Sequence, residues 1–302
     1  MPHFLSIQNL DLKTLRHIIQ VAINEKHAMQ IARPQYSNAL SGKILAMIFQ
    51  KPSTRTRISF DVGMRQLGGS AIVLNSSELQ LGHGETISDT AKVISRYCDA
   101  IMLRCFEESD LLELAQNASV PVVNALTNQS HPCQILAAAM TFLEHGVDLQ
   151  KSKFTWLGDF NNVTNSYIHL ATKTLCEFVI STPSLTHEQE KTLKIAQEIN
   201  PKIYYEENPR IAAVNSDVII TDTWVSMGDG KKDLSHFMPY QANKELFSLA
   251  KKNCLFSHCL PAHRGEEVTN EIIDGGNSIV FDEAENRLHI QKAILLYMFG
   301  II

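Results

Sequence analysis

The chain has 302 residues, enough to bury a sizeable core and to form two domains. It is 44% hydrophobic and 20% charged with no low-complexity tract, which excludes a disordered chain, and its net charge of −5 argues against a general nucleic-acid binder. No apolar run approaches a membrane span, Met1-Pro2-His3-Phe4-Leu5-Ser6 lacks the marks of a signal or presequence, and six scattered cysteines form no C-x-x-C pair, so a cytoplasmic protein with reduced thiols is expected.

In chain order, residues 9–33 read as an amphipathic helix with Leu15, Ile18, Ile19, Ala22 and Ile23 on its apolar face. The apolar run 43–49 reads as a buried strand, and Phe60, Met64 and Leu67 then recur at helical spacing. Gly68-Gly69 turns the chain into a second strand at 70–74, which completes a βαβ unit. Segment 78–85 reads as a surface loop. A helix through Val93, a strand at 100–103, a helix at 111–117 and a strand at 120–125 follow. Pro132 suits the first turn of the helix that ends near Glu144. The second half repeats the alternation, with strands at 154–158, 178–181, 203–205, 217–221, 253–257 and 278–281, and a last helix at 283–302. The expected fold class is α/β, with two domains, each a mostly parallel sheet flanked by helices, and an active site in the cleft at the C-terminal strand ends. The expected domains are 1–146, with helix 283–302 packing back on it, and 147–282.

Ser53, Arg104, His131, Asn161, Asp222 and Cys259 each fall at or just beyond the C-terminal end of an expected strand, the edge where open α/β sheets bind ligands. Ser53-Thr54-Arg55-Thr56-Arg57 stands where a strand gives way to a helix. Free N–H groups there, two hydroxyl types and two forked guanidinium groups suit a small phosphorylated anion, although a plain capped helix has the same start. Asn161 and Asn162 read equally as a helix cap. Cys254, His258, Cys259 and His263 match no standard zinc spacing, so no metal is expected. Cys259 could serve as a nucleophile with His131 or His258 as base, but no protease signature surrounds it. No G-x-G-x-x-G follows strand 154–158, and no cofactor is expected.

The Ser53–Arg57 segment resembles the aspartate and ornithine carbamoyltransferase superfamily. Arg104, His131-Pro132-Cys133-Gln134 and His258-Cys259-Leu260-Pro261 continue the resemblance in family order along nearly the whole chain. Cys259, Gln80 and the Asp222–Gly228 stretch look like the ornithine branch. The aspartate branch usually has His-Pro-Leu-Pro where Cys259 stands. The resemblance implies that Ser53, Thr54, Arg55, Thr56 and Arg57 hold the phosphate of carbamoyl phosphate. It gives Arg104, His131, Gln134, Cys259, Leu260 and Arg287 the carbamoyl end, and Asn162, Asp222, Ser226 and Met227 ornithine. Catalysis falls to Cys259, Asp222, Arg104 and His131. It also implies a homotrimer in which Gln80 reaches a neighbouring site, with citrulline as product in arginine metabolism. The alternatives are a carbamoyltransferase for another amine such as putrescine, and a phosphate-binding module without turnover.

Overall fold

In a computed structural model, the structure describes residues 1–75, 84–225 and 233–302. The chain divides into two compact units, Met1–Met140 with Glu285–Ile302, and Thr141–Ala284. Each is an α/β unit around a parallel sheet.

The first unit opens with α1 (Leu12–Gln30), whose N-cap Asp11 accepts a hydrogen bond from the Thr14 N–H. This cap explains why the helix is shorter than the expected 9–33. The alternation β1 (Ile44–Phe49), α2 (Thr54–Gln66), β2 (Ser70–Asn75), α3 (Ile87–Ile94), β3 (Ala100–Arg104), α4 (Glu108–Asn117) and β4 (Val122–Leu126) follows, then α5 (Pro132–Glu144). The sheet order is β2-β1-β3-β4, and every pairing is parallel. Strands β1 and β3 are completely buried but for Ile44, which suits their unbroken apolar runs. One face packs Ile48, Ile101, Leu103 and Val122 against Ala91, Ile94, Leu111 and Leu114. Each such aliphatic side chain contributes about 1.5–3 kcal/mol by leaving water.

The second unit runs β5 (Lys153–Leu157), α6 (Asn162–Thr174), β6 (Glu177–Ser181), α7 (His187–Ile199), β7 (Ile203–Tyr205), α8 (Pro209–Ala213), β8 (Val218–Thr221), α9 (Lys244–Phe247), β9 (Leu255–His258) and α10 (Asn270–Ile273). Its sheet order is β7-β6-β5-β8-β9, again parallel. Tyr167 packs between Trp156 and Phe178, at ring distances of 6.1 and 5.9 Å. The last helix, α11 (Val280–Met298), starts in this unit and ends in the first.

The expected strand at 278–281 is not a strand. Ser278 makes one isolated bridge to Phe256, and Val280 already begins α11, which stops at Met298 and not at Ile302. A short apolar run fits a strand or a buried helix turn equally well, and here the helix wins. No helix among the described residues is long and apolar enough to cross a membrane.

Both strand orders contain one reversal. In the first sheet the chain moves from β1 outward to β2, then returns to β3 on the other side of β1. In the second it moves from β5 through β6 to β7, then returns to β8. At such a reversal the connections leave in opposite directions and open a crevice at the C-terminal ends of the two central strands. Ser53 follows β1 and Arg104 ends β3, Asn161 follows β5 and Asp222 follows β8, so these four stand at the reversals, while His131 and Cys259 follow the neighbouring strands β4 and β9.

Candidate active site

In the first unit, Ser53 is the N-cap of α2, in extended conformation. Its Oγ accepts from the Thr56 N–H at 3.3 Å and donates to Thr56 Oγ1 at 2.9 Å. Thr56 Oγ1 in turn accepts from Arg287 Nη2 at 2.6 Å. Helix geometry gives the N–H groups of Thr54 and Arg55 no intrahelical acceptor, and the helix dipole adds partial positive charge there. Arg55 is half-buried, and its Nε finds no protein partner among the described residues, while Thr54 and Arg57 are exposed.

Arg104 ends β3 directly beside Phe49 of β1, and His131 and Gln134 open α5 after β4. Arg104, His131, Gln134 and Arg287 are all at most 4% exposed. Burial drives the His131 pKa well below its ordinary value, and Arg287, Arg104 and Arg55 add to the drop by repelling a second positive charge. The imidazole is therefore neutral near pH 7, set among three guanidinium groups. Such a cluster has the charge to suit a compact, highly charged anion.

In the second unit, register explains the pairing. Thr221 lies opposite His258, so the next residues, Asp222 and Cys259, emerge side by side. Cys259 Sγ donates to Asp222 Oδ1 at 3.0 Å. Asp222 Oδ1 also accepts from the Thr223 N–H at 2.8 Å, and Oδ2 accepts from Asn161 Nδ2 at 3.0 Å. Asn161 caps α6 as well, its Oδ1 accepting from the Val163 and Thr164 N–H groups. The contact to Asp222 thus belongs to Asn161, and Asn162 is the first residue of α6. Gln80, Ser226 and Met227 lie outside the described residues.

The loop bearing Cys259 is held by a pair that the sequence did not announce. The Leu260 N–H donates to His258 Nδ1 at 2.8 Å, so the imidazole proton sits on Nε2 and faces Glu267 Oε1 at 3.1 Å. Glu267 also accepts from the His263 N–H at 2.6 Å. The side chains of His258 and Glu267 are completely buried. These bonds hold Leu260 at φ 55, a left-handed conformation that costs a non-glycine residue of order 1 kcal/mol or more.

Trp224 anchors the chain two residues beyond Asp222. Fully buried, it stacks on Phe237 at 5.5 Å. Gly158 lies against it at φ +113, where an added Cβ would stand 2.6 Å from Trp224 Nε1. We expect Gly158→Ala to destabilise the protein by about 2 kcal/mol or more. It should also lower turnover by displacing Trp224 and with it Asp222, while thermal unfolding and kinetics measured together separate the two effects. An unchanged melting temperature would contradict this packing.

Donor atoms of Asp222, His258 and Cys259 lie within 4.8 Å of one another, as do those of His263, Glu266 and Glu267. In the first set every donor is already engaged: Cys259 with Asp222, and the two His258 nitrogens with Leu260 and Glu267. Cys254 belongs to neither set, and burial pushes its thiol up to about 12.

Three imidazoles shielded from water make the fold sensitive to acid. His131, His169 and His289 all have pKa values lowered by burial, His169 to about 4 and His289 to about 3. Below the unfolded value of about 6.5 the unfolded chain binds more protons than the folded one. Their contribution is therefore complete above that pH and falls by about 1.4 kcal/mol per unit for each imidazole as pH drops. Melting temperature should decline from pH 6.5 to pH 5, and His169→Gln should flatten the decline. A profile that is level over this range would refute the assignment.

The chain is similar to known proteins along its full length. Residues 2–144 match the carbamoyl-P binding domain of aspartate/ornithine carbamoyltransferases, and residues 150–298 match the Asp/Orn binding domain. An ornithine carbamoyltransferase of Cereibacter sphaeroides is 46% identical, covering 100% of both chains. One of Rhodopseudomonas palustris is 50% identical over 99% of this chain and 98% of its own. The solved ornithine carbamoyltransferase of Pyrococcus furiosus superposes with a TM-score of 0.95 at 44% identity, covering 100% of this chain and 98% of that one. The chain belongs to the aspartate/ornithine carbamoyltransferase family.

Proposed function

We propose that the chain transfers the carbamoyl group of carbamoyl phosphate to L-ornithine, giving L-citrulline and phosphate. The observation that carries this reading is the Cys259–Asp222 pair at 3.0 Å, a thiol and a carboxylate suited to a substrate ammonium or amine. Full-length relatives named ornithine carbamoyltransferase support it.

Ser53, Thr54, Arg55 and Thr56 take the phosphate at the start of α2, with Arg57 in support, and Arg104, His131, Gln134 and Arg287 take the carbamoyl oxygen and amide. Cys259 and the Leu260 backbone assist there. The δ-amine of ornithine attacks the carbonyl carbon. A C–N bond forms, the carbonyl becomes a tetrahedral oxyanion, and the C–O bond to phosphate then breaks as the surplus proton on the attacking nitrogen passes to the departing phosphate. Neutral His131 donates a hydrogen bond to the developing oxyanion without surrendering its proton, while Arg104 supplies charge. Arg55 and the helix N-terminus stabilise the departing phosphate.

The amine must lose a proton, although an unperturbed alkyl ammonium has a pKa near about 10. Desolvation and nearby guanidinium groups favour the neutral amine, and Asp222 with Cys259 orients it and accepts hydrogen bonds from it. Asn162, Ser226 and Met227 hold the rest of ornithine. Most of the acceleration comes from holding two reactants in line.

Cys259→Ser keeps a donor for Asp222 but replaces the thiol by a smaller, less polarisable hydroxyl, so it should lower kcat about tenfold without abolishing turnover. Full turnover in this variant would remove the cysteine from the mechanism. We also assign the chain to arginine metabolism in the cytoplasm and to a homotrimer in which Gln80 enters a neighbouring site. Sedimentation should then give three times the 33.8 kDa chain mass. Colorimetric detection of citrulline from carbamoyl phosphate and ornithine tests the activity.

A further inference from the structure

His131 stands at the end of a tight turn, and the turn is braced by a carboxylate from another helix. The Thr127 N–H donates to Ser130 O at 2.9 Å, and Thr127 Oγ1 accepts from the N–H groups of Gln129 and Ser130, both at 3.1 Å. That hydroxyl can accept both only if its own proton points elsewhere, and the proton goes to Glu108 Oε2. Ser130 Oγ lies 3.5 Å from the same Oε2 and accepts from Asn124 Nδ2 at 2.9 Å. Thr127 is fully buried and Ser130 is 3% exposed, so a hydroxyl that lost its acceptor here would have little water to replace it.

Glu108 is the first residue of α4, and residue 107 before it makes no side-chain cap bond. A carboxylate in a first turn ordinarily serves its own helix. This one reaches across to the turn after β4. The peptide between Ser130 and His131 follows directly on the N–H that Thr127 holds, so the direction of the imidazole depends on this brace.

The geometry points to Glu108 as a positioning residue that fixes His131 for carbamoyl transfer, acting through the hydroxyls of Thr127 and Ser130. This rests on the proposed carbamoyl transfer. Glu108 touches neither substrate in this scheme. Its effect falls on the carbamoyl side, because the braced turn leads into His131, whereas Asp222 is held by Asn161 and the Thr223 N–H.

The test is steady-state kinetics on the full chain with Glu108→Ala, Glu108→Gln, Thr127→Val and the double variant Glu108→Ala/Thr127→Val, each with a melting curve. Glu108→Ala should lower kcat/KM for carbamoyl phosphate about tenfold and leave the ornithine KM within twofold. Glu108→Gln keeps a carbonyl acceptor for both hydroxyls and should recover to within about threefold of the parent. The double variant should be no worse than the weaker single variant, since both break one brace. A parent-like Glu108→Ala, a Gln variant as impaired as the Ala variant, or losses that multiply in the double variant would overturn the assignment. A fall in melting temperature with unchanged kinetics per folded molecule would also overturn it, by making the brace structural only. Absence of citrulline with the unsubstituted protein would instead contradict the proposed activity.

Discussion

Replacing Arg55 with alanine should lower kcat/KM for carbamoyl phosphate by about 10³-fold, with a melting temperature close to that of the parent. Three features of the first unit lead to this size. The guanidinium sits in the first turn of α2, where the helix dipole already favours an anion, and its Nε has no protein partner among the described residues. Arg55 is also one of the charges that depress His131, so it acts on the same centre as Arg104 and Arg287. Finally, in the proposed transfer negative charge accumulates on the phosphate as the C–O bond breaks, so a contact from Arg55 would strengthen toward the transition state and appear in kcat as well as in KM. Arg55→Lys should recover only a small part of the loss, because an ammonium cannot bind two phosphate oxygens as a fork. Isothermal titration with carbamoyl phosphate alongside kinetics checks this. An Arg55→Ala variant that binds and turns over like the parent would show that the phosphate sits elsewhere.

The second large effect belongs to Asp222. Asp222→Asn should reduce kcat by about 10³-fold and leave carbamoyl phosphate binding within twofold. The carboxylate accepts from three donors, the Thr223 N–H, Cys259 Sγ and Asn161 Nδ2. An asparagine offers one acceptor oxygen, so its NH₂ group would face a donor, and the negative charge that attracts the ammonium would be gone. Titrating the pH dependence provides the second readout. If Asp222 favours capture of the cationic amine and its deprotonation in the complex, the variant should need higher pH to reach its reduced maximum. A variant with parent-like kcat at neutral pH would remove Asp222 from the chemistry.

Much of this arrangement is legible in the sequence. Alternating apolar runs and helical periodicities point to two parallel sheets with polar residues gathered at their C-terminal strand ends, whereas the strand orders and their reversals come only from the structure. The pairing of particular side chains was harder. Asn161 and Asn162 both suit an N-cap, and only the adjacency of β5 and β8 selects Asn161 as the partner of Asp222. His258 and Glu267 stand nine residues apart across an irregular loop, a separation with no periodic signature. Glu108 escaped notice because a glutamate at a helix start has an ordinary reading as a dipole partner. Helix α8 was missed although Asn208-Pro209 carries a cap followed by proline at the first position, the usual start signal. The misread run at 278–281 shows the converse: its β-branched residues favour a strand, yet the fold uses them to begin α11.

The most direct test of the account is a citrulline assay on the purified chain with carbamoyl phosphate and ornithine, run with EDTA throughout and with aspartate and putrescine in parallel. The account predicts citrulline from ornithine, undiminished by the chelator, and at most slow carbamoylation of the other two amines. Faster turnover of putrescine, or no product from any amine while carbamoyl phosphate still binds, would contradict it.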